Sequence, residues 1–350
     1  MSRQSVPRVF SRSGTGFAVL AAALLALTAC GGPSGTPGAK TYTIAFISQG
    51  TSNSWAAQLD AVARKAAKAD GVKLVYFNGQ GDATKQLPEI DTAIAQKPDA
   101  IVLVPLGGAA DTGPVERAMS QNIKVILCDS TITSQNYTSL VTPHAETAAV
   151  PLAQWLADKM NHQGNLLYIG GLPGNTTTIT YDQGFNSVMQ KYPNIHIING
   201  GNANYSISTA KQLAATAIAS GKTFTGAWGV GGEAVTGLMQ ALIDAKVSAA
   251  PPLGGAAATN GILRLAIENK MEVASLQFPP TSSQVCIDTA FKAVKGETVP
   301  KSVNISELPQ YGPILPPLDK YYKPQFSDDM YVGTDSVLTV DELKALNLVK

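Results

Sequence analysis

Along the chain, short apolar runs alternate with longer stretches in which apolar residues recur every three or four positions. The first clear case is Tyr42-Thr-Ile-Ala-Phe-Ile-Ser48, followed by the polar stretch Gln49-Gly-Thr-Ser-Asn53 and a helical pattern from Ser54 toward Asp70. A β-branched and aromatic run that gives way to Gly, Thr, Ser and Asn, and then to a 3.6-residue period, predicts strand, polar loop and capped helix. The unit then repeats. Strands are predicted at 72–77, 100–104 and 123–128, with helices at 83–96 and 113–121 between them. At Pro143-His144 the pattern restarts. Helices at 145–160, 176–191, 208–220, 233–245 and 260–269 interleave with strands at 165–169, 195–198, 223–228 and 273–277. Nearly continuous apolar strands between amphipathic helices predict parallel sheets covered on both faces, with right-handed crossovers. The expected fold class is therefore α/β, with two doubly wound Rossmann-like lobes joined by a hinge near Pro143 and His144. A tail from Tyr321, ending in a helix at 340–346, is expected to pack back on a lobe. In such sheets a ligand is met at the loops leaving the carboxyl ends of strands.

Composition narrows the partners. The chain has 350 residues, 45% of them hydrophobic and 15% charged, which is enough to fill two cores. A formal net charge of +1, with no run of like charge, leaves no electrostatic footprint for nucleic acid. His144, His162 and His196 are isolated, so no spacing suggests a metal. Gly229-Val-Gly231-Gly232-Glu-Ala234 approaches a dinucleotide loop but lacks the acidic partner about 20 residues on. Gly170-Gly171-Leu-Pro-Gly174 has no Lys-Ser/Thr, and no nucleophile elbow occurs. No enzyme and no cofactor are expected. Cys128 ends an apolar run and Cys286 sits on a helical pattern; the sequence does not supply the separation a bridge requires, and two buried thiols are expected.

The beginning of the chain carries a different signal. Arg3, Arg8 and Arg12 precede an apolar run at 17–27, the layout of a secretory signal and too short to span a bilayer. The run ends in Leu27-Thr28-Ala29-Cys30-Gly31, which resembles the lipobox of bacterial lipoproteins. The resemblance implies a signal peptide at 1–29 and lipidation of Cys30. Residues 30–40, rich in Gly, Pro and Ser, then read as a flexible tether. The mature chain would be held by lipid on the extracytoplasmic face, in the periplasm or at the cell surface. That compartment rules out the transcription regulators that share the lobed architecture.

Thr43-Ile-Ala-Phe-Ile-Ser48, Asn53-Ser-Trp55, Val125-Ile-Leu-Cys-Asp129, Gln183-Gly-Phe185 and Ala274-Ser-Leu-Gln-Phe-Pro279 occur in order along the chain. Together they resemble the landmarks of type I periplasmic binding proteins, closest to the ribose-binding branch that serves ABC sugar importers. The resemblance implies an N-terminal lobe of 41–142 plus 278–306 and a C-terminal lobe of 143–277 plus 307–350. A small neutral polar ligand, a sugar or polyol, would sit between them and pass to a membrane permease, with the protein acting as a monomer. A ligand-presenting sensor, or an importer component for a furanone, nucleoside or small aromatic, is the alternative.

Residue by residue, the resemblance assigns the ligand to Asn53, Trp55, Asp129 and Gln277, with Tyr181 as a substitute contact from the second lobe. An aromatic face packs on the C–H side of a sugar ring, and an Asn amide both donates and accepts. A carboxylate at a strand end accepts hydroxyl hydrogen bonds with charge assistance. Each has a plainer alternative: a lobe-interface or core role for Trp55, a turn cap for Asp129, a surface ring for Tyr181, a hinge bond for Gln277. Trp228 is expected in the core. The chain departs from the family's sugar binders at several places: Ser130 stands for an Arg, a run ending in Tyr181 replaces another, Gly231-Gly232 precedes Glu233 in place of Asn-Asp, and alanines stand near Ala257. Since an unpaired buried hydroxyl costs on the order of 1–3 kcal/mol, the ligand should carry fewer hydroxyls than a pentopyranose, or bind through water and backbone groups.

Overall fold

In the computed structural model, which describes residues 40–50, 53–255, 257–308 and 311–350, the first apolar run forms β1 (Thr43–Ser48). Cys30 and the leader lie outside the described residues. β1 turns Ile44 and Phe46 to one face and Ala45 and Ile47 to the other, and all four are buried. A strand covered on both faces has no use for polar alternation, which is why the run reads as continuously apolar. Then follow α1 (Ser54–Ala69), β2 (Lys73–Asn78), α2 (Ala83–Ala95), β3 (Ala100–Leu103), α3 (Thr112–Ser120), β4 (Lys124–Cys128) and β5 (Ser139–Thr142).

The chain crosses at Pro143 and builds a second lobe from α4 (Ala145–Ala148), α5 (Val150–Lys159), β6 (Gly164–Gly170), α6 (Thr176–Met189), β7 (Ile195–Asn202) and α7 (Ile207–Ala219). This lobe continues with β8 (Gly226–Gly229), α8 (Gly232–Asp244), β9 (Leu253–Gly255), α9 (Asn260–Glu268) and β10 (Val273–Gln277). The helix expected at 145–160 is two pieces, because Pro151 has no N–H to donate to the carbonyl four residues back. The chain returns to the first lobe through α10 (Ser282–Val294) and β11 (Ser302–Asn304), and crosses again to β12 (Gly312–Ile314).

The described residues form two six-stranded sheets, ordered β11-β5-β4-β3-β1-β2 and β12-β10-β9-β8-β6-β7. Pairing is parallel throughout the first sheet. In the second, β12 runs antiparallel to β10, with Ser275 opposite Ile314, so that sheet is not wholly parallel as expected. Within each sheet the order reverses beside the strand that opens it, β1 or β6, which puts a crevice at the carboxyl ends beside each.

Cys128 and Cys286 are a disulfide, with Cα atoms 6.0 Å apart, and not the two thiols expected. α10 packs along α1 and β4, and this return of the chain brings two residues 158 apart in sequence within bonding range. The tail after β12, with α11 (Val340–Ala345), touches both lobes. Phe326, Met330, Leu338, Leu343 and Leu348 gather around Val62 of α1, while Asn260 of α9 donates to the carbonyls of Lys323 and Phe326. Among the described residues no helix is long and apolar enough to cross a membrane.

Candidate functional site

A cavity of about 110 Å³ opens between the lobes, and its wall is built from the segments that leave strand ends. After β1 come Gln49, Asn53 and Trp55; after β3, Val104 and Pro105; after β4, Ser130. The second lobe supplies Asn175, Thr177 and Tyr181 after β6, Tyr205 after β7, Val230 to Glu233 after β8, and Ala257 after β9. Phe278 enters from the crossing after β10 and Tyr331 from the tail.

Helix starts fix several of these side chains. Asn53 caps α1, its Oδ1 accepting from the Ala56 N–H at 2.9 Å, which leaves its amide nitrogen to donate. Asn175 caps α6 in the same way, accepting from Thr177 and Thr178 N–H, and the Tyr205 hydroxyl donates to the same oxygen at 3.3 Å. Gly231 stands just before α8 with φ of +97°, and a Cβ on Gly232, the first residue of the helix, would lie 2.4 Å from the Ala257 carbonyl oxygen. The Gly-Gly pair is therefore required by backbone conformation and close approach.

Aromatic rings make much of the wall. Trp55 stacks on Phe278 with centroids 6.0 Å apart. The Trp55 Nε1–H and the Tyr181 hydroxyl are buried with no partner among the described residues. A buried polar group without a partner is costly, and a ligand that bonds it removes that cost. The Tyr331 hydroxyl donates to Glu233 Oε1 at 3.0 Å. Burial raises the Glu233 carboxyl above its ordinary range, pushes the Tyr205 hydroxyl up to about 12, and raises the Tyr181 and Tyr331 hydroxyls too, so these phenols keep their protons and donate. Among the described residues no Lys, Arg or His lines the cavity.

The structure brings Asn53, Trp55 and Tyr181 together on this wall, and leaves Asp129 and Gln277 off it. Asp129 has a left-handed backbone, φ +62°, and its Oδ2 accepts from Ser282 of α10 at 3.1 Å. The carboxyl is buried, its Oδ1 has no partner among the described residues, and burial pushes its pKa up to about 7. It lies behind Ser130, in an adjoining rim pocket with Thr142, His144 and Thr176. The Gln277 amide lies against Gly333 of the tail, its Nε2 2.8 Å from where a Cβ on that glycine would sit. Trp228 is in the core, tilted on Phe185 at 4.9 Å. The lobes meet directly: Ser130 Oγ and Thr176 Oγ1 share a hydrogen bond, the Thr131 N–H donates to Thr176 Oγ1 at 2.9 Å, and Thr177 Oγ1 donates to the Asp129 carbonyl at 3.2 Å.

Sequence reasoning did not find Tyr205 or Tyr331. Tyr205 follows the strand end of β7, a position that could have drawn attention. Tyr331 sits in an irregular tail with no periodic signal.

Two α/β lobes with a small, aromatic-walled cavity at facing strand ends are the architecture of a binding protein. The family model described as periplasmic binding protein domain matches residues 44–298, and the chain belongs to that family, in its type I form. It is 28% identical over 190 residues to a xylitol-binding protein of Mycolicibacterium smegmatis, a match spanning 54% of each chain. It is 23% identical over 284 residues to a galactofuranose-binding protein of Escherichia coli, covering 79% of this chain and 89% of the relative. Among solved structures, an ABC transporter solute binding protein from Mycobacterium smegmatis with bound glycerol superposes with a TM-score of 0.75 at 21% identity, over 84% of this chain and 99% of that one. At that identity the structural likeness speaks for the fold. The family is extracytoplasmic and its members are binding proteins.

Proposed function

We propose that this chain is the solute-binding component of an ABC importer, tethered outside the cytoplasm through lipidated Cys30, which closes its lobes on a small uncharged sugar or polyol. The observation that carries this reading is the cavity itself. Its aromatic rings suit C–H faces and, among the described residues, the Trp55 Nε1–H and Tyr181 hydroxyl lack partners and no cationic side chain lines the wall to pair with a carboxylate or phosphate. A cavity of about 110 Å³ lies well below the roughly 300–1,000 Å³ of sites for drug-sized ligands, which disfavours nucleosides and dinucleotides. The relatives that bind xylitol, galactofuranose and ribose by name support the same ligand class. Because the wall is drawn from both lobes, a ligand that touches both stabilises the closed form over the open one. Delivery to a permease, and action as a monomer, follow the family's pattern.

The test is a thermal-shift screen of residues 31–350 against pentitols, hexitols, furanoses, pyranoses, sugar acids, sugar phosphates, nucleosides and small aromatics. A ligand at 100 times its dissociation constant stabilises the native state by about 2.7 kcal/mol, a visible rise in melting temperature. A shift with neutral polyols or sugars, and none with acids or phosphates, is expected. Shifts confined to nucleosides or aromatics would overturn the ligand class.

A further inference from the structure

The segment 328–332 passes through the seam between the lobes, and its backbone bonds alternate between them. The carbonyl of Asp329 accepts from Ser54 Oγ at 2.7 Å and Gln58 Nε2 at 2.9 Å, and the Tyr331 N–H donates to Gln58 Oε1 at 3.2 Å; all three bonds reach α1 of the first lobe. Residues between these face the other way. The Asn260 N–H donates to the Met330 carbonyl at 2.8 Å, the Gly261 N–H to the Asp328 carbonyl at 2.9 Å, and the Val332 N–H to the Ala258 carbonyl at 3.0 Å, all in the second lobe. Successive backbone groups of this short segment thus bond opposite lobes, so it holds two bodies at once.

The rest of the tail repeats the double attachment. Its apolar residues close on Val62 of α1, and Glu342 pairs with Lys65 at 2.7 Å. On the other side Arg264 of α9 pairs with Asp328 at 2.6 Å. From the same segment Tyr331 reaches the cavity wall and bonds Glu233.

We propose that the C-terminal segment 326–350 is a strap that limits how far the lobes separate and thereby raises affinity for the solute. If the lobes swing apart about their crossings, either the bonds to α1 or those to α9 must break, because the strap holds both. A restraint that keeps the ligand-free protein near its closed form raises the fraction competent to bind, and apparent affinity rises with that fraction. The effect on affinity rests on the interlobe cavity being the solute site; the restraint on opening does not.

The experiment compares the full mature chain with Gln58→Met and Glu342→Lys. Gln58 is buried, lines no part of the cavity, and supplies two of the three bonds between segment 328–332 and α1. Small-angle scattering without ligand is expected to give a larger radius of gyration for both variants than for the parent. Titration with xylitol is expected to give a severalfold weaker dissociation constant for both. Scattering curves identical to the parent overturn the strap. Glu342 is at the surface, so Glu342→Lys decides the matter if Gln58→Met does not fold. If the parent binds no polyol or sugar, the proposed ligand class fails while the scattering comparison still decides the strap.

Discussion

In the first lobe the strands lie in the order β2-β1-β3-β4-β5-β11 and in the second β7-β6-β8-β9-β10-β12, one sequence of neighbours used twice. The first is cross-linked where the returning helix α10 meets the end of β4, at Cys128 and Cys286. Among the described residues the second has no disulfide, and its α7 and α8 approach each other over Gly237, where a Cβ would come within 2.5 Å of the Ala210 Cβ. The first lobe gives the cavity an aromatic and amide face through Trp55, Asn53 and Gln49, and the second gives hydroxyls and a carboxylate through Thr177, Tyr181, Tyr205 and Glu233. A covalently braced half facing a half held by packing separates two tasks: the first offers a fixed platform, and the second carries most of the hydroxyls that would read the ligand.

The comparison can be broken most severely at the cross-link. Closing a loop between residues 158 apart stabilises the fold by about 5 kcal/mol on the chain-entropy account, so Cys286→Ser should lower stability by that order. Calorimetry of oxidised protein and variant measures it; equal melting would mean that packing alone braces the first lobe. Next is Asp129, whose pKa is raised to about 7 in the folded state, from the ordinary 3.8, by burial. The folded chain holds this proton over a range where the unfolded chain has lost it. Its stabilising effect is thus complete below about pH 4 and lost as pH rises toward 7, a decline on the order of 2–4 kcal/mol. Asn tolerates the left-handed backbone, and Asp129→Asn should unfold with a flatter pH dependence than the parent over that window.

In the second lobe, Gly237→Ala should cost about 1–3 kcal/mol through overpacking between α7 and α8, read as a lower denaturation midpoint with unchanged slope. The smallest effects fall on binding. Trp55→Ala should weaken the solute tenfold or more, about 1.4 kcal/mol per decade. Asp129→Asn should weaken it less, since the carboxyl is off the wall. Titration calorimetry that ranked these two in the opposite order would return Asp129 to the site.

Much of this was legible in the sequence, and for a physical reason. β1, β3 and β4 are buried on both faces, so their apolar runs are unbroken, and the polar residues after β1 and β6 sit where α1 and α6 take their caps. β5, β11 and β12 span only three or four residues each, too short for any period to show. The cysteine pairing was hidden because it depends on α10 returning to the first lobe at a sequence separation of 158 residues. Side-chain direction was hidden too. Asp129 stands at the expected strand end, but a left-handed backbone and Ser282 hold it away from the cavity. Tyr331 arrives from a tail whose course is set by tertiary contacts with α1 and α9, which local patterning does not encode.

The cross-link also has a meaning for how the protein is made. Disulfides persist in oxidising compartments and are rare in reducing ones. Before export the two sulfurs would be thiols, and the chain would lack the brace across its first lobe. A nascent chain that is less stable than the finished one is easier to keep unfolded for passage through a translocation channel. The bond between Cys128 and Cys286 would then form on arrival, fixing the fold in the compartment where the solute is met.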